Sequence, residues 1–115
     1  MARRFDLEER TTKFAKEMIR LCKDLHRDPI NDRLINQVVG ASGSIGANYR
    51  EANDSLGKKD FLQRMKIARR EAKESHHWLE LLSEANEKRS SEILPLFKEA
   101  EELKKIFSSI IDKSS

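Results

Sequence analysis

Residues 57–86, GKKDFLQRMKIARREAKESHHWLELLSEAN, decide the fold. Within them Phe61, Met65, Ala68, Ala72, Ser75, Leu79 and Leu82 step by 4, 3, 4, 3, 4, 3, which lines them along one side of a helix. Three more segments repeat the pattern. Upstream, Leu7, Thr11, Phe14, Met18, Leu21 and Leu25 form a stripe that Pro29 is expected to end, and Leu34, Val38, Ala41, Ile45, Asn48 and Ala52 form another. Downstream, after a polar stretch at Glu87–Ser91, Ile93, Leu96, Ala100, Leu103, Phe107 and Ile110 form the fourth. Pro95 is read there as a first-turn proline, which gives up little hydrogen bonding. The expected helices are about 5–27, 32–53, 57–86 and 92–112, with the last residues, Lys113–Ser115, fraying.

Helices of this length joined by short links place sequential neighbours antiparallel. One apolar stripe per helix, in near-heptads, packs as an all-α, up-down-up-down, left-handed four-helix bundle. Composition agrees. Of 115 residues 37% are hydrophobic, 37% charged and only 6% aromatic, with 4 Gly and 2 Pro, too few turn and strand formers for a sandwich or barrel. The chain is read as a single domain over residues 1–115. A lone cysteine, Cys22, beside the first stripe, fits a reducing compartment, and no long apolar run suggests export or membrane insertion, so a cytoplasmic protein with no membrane contact is expected.

Catalytic signals are weak. Glu74 and His77 form an E-x-x-H pair, half of a carboxylate-bridged dimetal site, but the only other histidines are His76 and His26, and Lys23 stands three residues before His26. One chain cannot complete that site, so no metal and no cofactor are expected. Gly40, Gly43 and Gly46, with Ser42 and Ser44, match no phosphate-loop pattern, and helical periodicity runs through them; close packing against a neighbouring helix is the expected reason. No nucleophile stands beside a base, so the protein is expected not to be an enzyme.

Polar residues in apolar register say more. Asn48 takes a core-type position, so it needs partners, and Glu51 is a candidate for a shared network that fixes helix register. The third helix carries a second stripe, Ile67, Glu71, Glu74, Trp78, Leu81 and Ala85. It reads either as a subunit interface anchored by Trp78 or as a wide core face with Trp78 at its margin.

Charge is segregated. The net charge is only +3, yet residues 58–73 hold seven basic side chains against Asp60 and Glu71, so this segment carries +5 and the rest of the chain −2. Lys13, Lys16, Arg20, Lys23 and Arg27 form a basic stripe on the first helix, opposite Phe14 and Leu21. Together with Lys59, Lys66, Arg70 and Lys73 they are the candidate phosphate contacts for RNA or DNA, with no aromatic stacking platform evident; a solvated helix face is the plain alternative.

The run Ser44-Ile45-Gly46-Ala47-Asn48-Tyr49-Arg50-Glu51-Ala52, with Lys58-Lys59-Asp60-Phe61, Ile67-Ala68 and Trp78-Leu79-Glu80-Leu81-Leu82 downstream, resembles the bacterial four-helix bundle proteins of the 23S ribosomal RNA intervening-sequence family. Ser44, Asn48, Glu51, Asp60 and Phe61 match the family's signature positions. The resemblance implies a ring, a homopentamer, and no catalysis. The accessory protein of diversity-generating retroelements is similar in fold; there a basic ring engages nucleic acid and a reverse transcriptase. Two functions are therefore expected to compete: a non-enzymatic oligomer that binds RNA or DNA, or an adaptor ring for a protein partner.

Overall fold

Asp28 and Pro29 open a helix rather than close one. The Asp28 carboxylate accepts a hydrogen bond from the Asn31 amide at 2.8 Å, and Pro29, whose fixed φ suits a first helical position, follows it directly. The computed structural model describes residues 2–115, with side chains from Leu7 onward, and holds four α-helices: α1 (Ala2–Lys23), α2 (Pro29–Asn53), α3 (Lys58–Ala85) and α4 (Ser90–Ser114). A 3-10 turn at Glu87–Arg89 leads into α4, and no strand occurs among the described residues.

These bounds correct three expectations. The first helix stops at Lys23, its end tightened by Asp24 N–H to Leu21 carbonyl and Leu25 N–H to Cys22 carbonyl bonds. The apolar spacing ran past it because Leu25, in the link, is still buried. Pro95 lies well inside α4, not in its first turn. Its missing N–H leaves the Ser91 carbonyl without a helical donor, and because Pro95 is exposed, water can take that place. The C-terminal residues continue the helix through Ser114, and the Ser115 hydroxyl donates back to the Ile111 carbonyl at 2.7 Å.

α1 packs against α2 and α4, and α3 packs against the same two, so α1 and α3 occupy one diagonal of a square. Long helices in this arrangement give extents of 44 × 23 × 19 Å. Polar side chains tie the seams. Glu8, near the start of α1, accepts from Arg50 at 3.1 Å and from Asn53 at 2.9 Å at the end of α2. Arg10 makes a two-pronged pair with Glu99 of α4, at 2.6 and 2.9 Å. Arg89 reaches both Glu92 and Asp24, fastening the start of α4 to the end of α1.

The core is built as the stripes anticipate over most of its length. Phe14, Met18, Val38, Ile45, Met65, Leu79, Leu82, Ile93, Leu103 and Phe107 are at most 1% exposed. Leu34 and Phe61, the first stripe positions of α2 and α3, are only partly buried against it, and at two later positions the buried residue is a different one. In α2 the buried position is Tyr49, whose ring lies 6.0 Å from Phe107, while Asn48 is half-buried and donates to the Ser44 carbonyl at 2.9 Å. Asn48 is therefore not a core amide, and Glu51 beside it is exposed. In α4 Ile111 is buried and Ile110 only partly so. Of the three helical glycines, Gly46 alone is a close-packing residue: a β-carbon there would meet Thr11 of α1, whereas at Gly40 and Gly43 it would meet nothing within 4 Å.

Candidate nucleic-acid interface

The first half of α3 lifts its cations outward. Its buried residues, Met65, Ala68, Ala72, Ser75, Leu79 and Leu82, face the bundle, so the opposite side presents Lys59, Lys66, Arg70 and Lys73, all exposed. Two adjoining hollows of about 560 and 530 Å³ run along this side and share Lys66 and Arg70. The first is lined by Lys59, Leu62, Gln63, Lys66, Ile67 and Arg70, and the second adds Arg69, Lys73, Glu74, His77 and Trp78. From Lys59 to Lys73 the face extends roughly 21 Å along the helix, the rise of about six base pairs of B-DNA.

The order of charge along α3 opposes its macrodipole. Cations gather at the amino-terminal half, where Asp60 is the lone acidic residue of the first turn, and the last turn holds no basic residue. Helix stability favours the reverse placement. The basic half therefore has no explanation in helix formation itself.

On α1, Lys13, Lys16, Arg20 and Lys23 are exposed as expected. Arg50 of α2 joins Lys13, Lys16 and Arg20 around a hollow of about 320 Å³, although its own guanidinium is held by Glu8 and Thr12. Arg27 does not belong to the stripe. It lies in the link beyond α1 and pairs with Asp32. Because α1 and α3 are diagonal and each turns its basic side outward, the two basic faces point away from one another within one chain.

Two residues of these faces escaped the spacing argument. Arg69 lines the second hollow while its guanidinium reaches toward Ser108 of α4 at 3.5 Å; its position in the basic run was visible, but not its tilt. Arg50 comes from another helix, and nothing local marks it. At one end of the basic face exposed His77 stands edge-on to half-buried Trp78, with centroids 4.9 Å apart.

The remaining candidates scatter. Trp78 packs at the margin of the core, and its indole N–H is enclosed without a hydrogen-bond partner among the described residues. Ile67 and Glu71 are half-buried beside it, whereas Glu74 and Leu81 are exposed. Burial pushes the Glu71 carboxyl up, helped by the nearby Glu74 charge and opposed by Arg70, whose guanidinium stands 3.7 Å away. Of the signature residues, Ser44, Asn48 and Phe61 are half-buried and Glu51 and Asp60 exposed, with Asp60 3.8 Å from Arg64. No three His, Cys, Asp or Glu side chains converge among the described residues, and the Glu74–His77 pair has no further ligand beside it. No described helix is long and apolar enough to cross a membrane.

The model of the 23S rRNA-intervening sequence protein family matches residues 3–109. A crystal structure from Bacteroides thetaiotaomicron, a protein of unknown function from the S23 ribosomal protein family, is similar with a TM-score of 0.79 and 30% identity, over 90% of this chain and 96% of that one. No curated protein matches. Four helices in this packing, the signature run in α2 and the match along nearly all the sequence place the chain in the family of 23S rRNA-intervening sequence proteins.

Proposed function

We propose that this protein is a non-enzymatic, cytoplasmic, homo-oligomeric bundle, with a pentamer favoured, that binds RNA or DNA through the phosphate backbone. The observation that carries this reading is the basic face of α3. Lys59, Lys66, Arg69, Arg70 and Lys73 are gathered along two joined hollows, in an order that works against the helix dipole. Point charges on a helix face with no groove-reading element fit sequence-independent contact, and His77 and Trp78 at one end offer an edge on which an unpaired base can rest.

The pairing of Glu8 with Arg50 and of Asn31 with Asn86 supports antiparallel α1–α2 and α2–α3 neighbours, in keeping with an up-down-up-down bundle, whose left-handed sense rests on the near-heptad spacing. Oligomerisation deepens the nucleic-acid reading. The diagonal faces of α1 and α3 cannot serve one strand on one chain, but repetition around a ring lets the face of one subunit continue that of the next.

A mobility shift with single-stranded and duplex probes across a salt series tests this. Affinity should fall linearly in log salt, and Lys66→Gln or Arg70→Gln should each lower the slope by about one. Absence of binding at low salt, or a slope indifferent to both substitutions, overturns it.

A further inference from the structure

The other end of α3 has the opposite character. A hollow of about 600 Å³ opens between the end of α3 and the start of α4. Its exposed wall is largely apolar, formed by Leu94 and Phe97 over the buried Ile93, with Glu80, Glu84, Glu87 and three serines around them. Leu94 lines the hollow and is 48% exposed. Phe97 is held in place by the His76 ring, 3.8 Å from it between centroids.

We propose that this hollow seats a cationic amphipathic helix of a partner protein. None of the three carboxylates has an ion pair among the described residues. Arg89, the nearest guanidinium in sequence, is occupied by Glu92 and Asp24. Carboxylates near the carboxy-terminal end of a helix oppose its dipole, so Glu80 and Glu84 are not placed there to stabilise α3, and Glu87 lies beyond it in the 3-10 turn. Free negative charge around an apolar wall complements an element that carries apolar anchors on one side and Lys or Arg beside them. Glu80 and Glu84 stand one turn apart on α3, about 6 Å along its axis, and Glu87 continues the acidic rim into the 3-10 turn.

The competing occupant is a second copy of this chain. Its exposed large apolar side chains are Leu56, in the link before α3, and one on each helix: Ile19, Ile30, Leu81 and Leu94. Among the described residues no helix of this chain presents two of them, which favours a separate partner with several anchors on one helix. The proposal extends the adaptor expectation and does not depend on the nucleic-acid reading.

The test measures fluorescence anisotropy of a labelled Leu/Lys peptide of about four helical turns with the full chain. The controls are the same composition in scrambled order and a Leu/Glu version. The amphipathic Lys peptide should bind at least tenfold more tightly than either control. Leu94→Asp and the double substitution Glu80→Gln/Glu84→Gln should each weaken it at least tenfold with helix content unchanged, while Lys66→Glu/Arg70→Glu, on the basic face of α3, should leave it intact. Equal affinity for the native protein and the hollow variants overturns the proposal. So does a change in the native mass of the oligomer on Leu94→Asp, which would show that a second copy covers the site.

Discussion

The hydroxyl oxygen of Thr11 lies 2.9 Å from where a β-carbon on Gly46 would stand. The Thr11 β-carbon is only slightly farther, at 3.3 Å, and its hydroxyl is tied back to the Leu7 carbonyl at 2.7 Å, so the β-branched side chain has little freedom to yield. Gly46→Ala should destabilise the protein, with overpacking of about 1–3 kcal/mol exceeding the helix-propensity gain of about 1 kcal/mol. Gly40→Ala and Gly43→Ala meet open space and should each stabilise by up to about 1 kcal/mol. Thermal unfolding of the three variants gives the comparison; a gain at Gly46 would show that α1 and α2 can slide apart there.

Asn31 and Asn86 exchange two amide hydrogen bonds, each 2.9 Å long, across the joint between α2 and α3. Asn31 is 2% exposed and also donates to the His26 carbonyl, while Asn86 donates to that of Leu82. Removing either partner takes from the other amide its cross-helix donor and acceptor and leaves it only its backbone carbonyl, so Asn31→Ala and Asn86→Ala should each cost on the order of 1–3 kcal/mol. The double variant should cost less than the sum, by about 1 kcal/mol, in a denaturant double-mutant cycle. Strict additivity would mean that the pair contributes no coupling.

The apolar spacing made the four helices and their buried sides legible, and it failed where its period did. A 4, 3, 4, 3 progression averages 3.5 residues per turn, so over two heptads it drifts by roughly 40° from a straight helix. In α2 this puts Tyr49 rather than Asn48 in the core, and in α4 it puts Ile111 rather than Ile110 there. Pro29 was ambiguous because proline both ends and begins helices; Asp28 before it, with its side chain on the Asn31 amide, decides the matter. The cations of α3 were visible in order, but the hollow between α3 and α4 joins residues from two helices and has no local signature.

Cys22 is 4% exposed, and burial pushes its thiol up to about 11 from an ordinary 9.0. A thiol raised in the folded state holds its proton more tightly there than in the unfolded chain. Stability from this group is therefore complete below about pH 9 and lost as pH rises toward about 11. Alkaline unfolding of Cys22→Ala should lack this component. At neutral pH the native protein should react with a thiol reagent far more slowly than in denaturant; equal rates would place Cys22 at the surface.

Glu71 runs the same logic among the carboxylates. Its side chain is 16% exposed, and burial, seconded by the charge of Glu74, raises its pKa in the folded state. The native state then favours the protonated form, so the ionised group works against folding at neutral pH, and that penalty disappears as pH falls through the carboxylate range. Glu71→Gln should raise the unfolding temperature at pH 7 and lose its advantage in acid. Arg70 opposes the shift, so Arg70→Gln should destabilise the native protein but not the Glu71→Gln background, because the charge it offsets is then absent. The substitution also removes a negative charge beside the proposed phosphate contacts. Nucleic-acid affinity of Glu71→Gln should be unchanged or stronger at low salt; weaker binding would mean that the carboxylate positions Arg70 for its task.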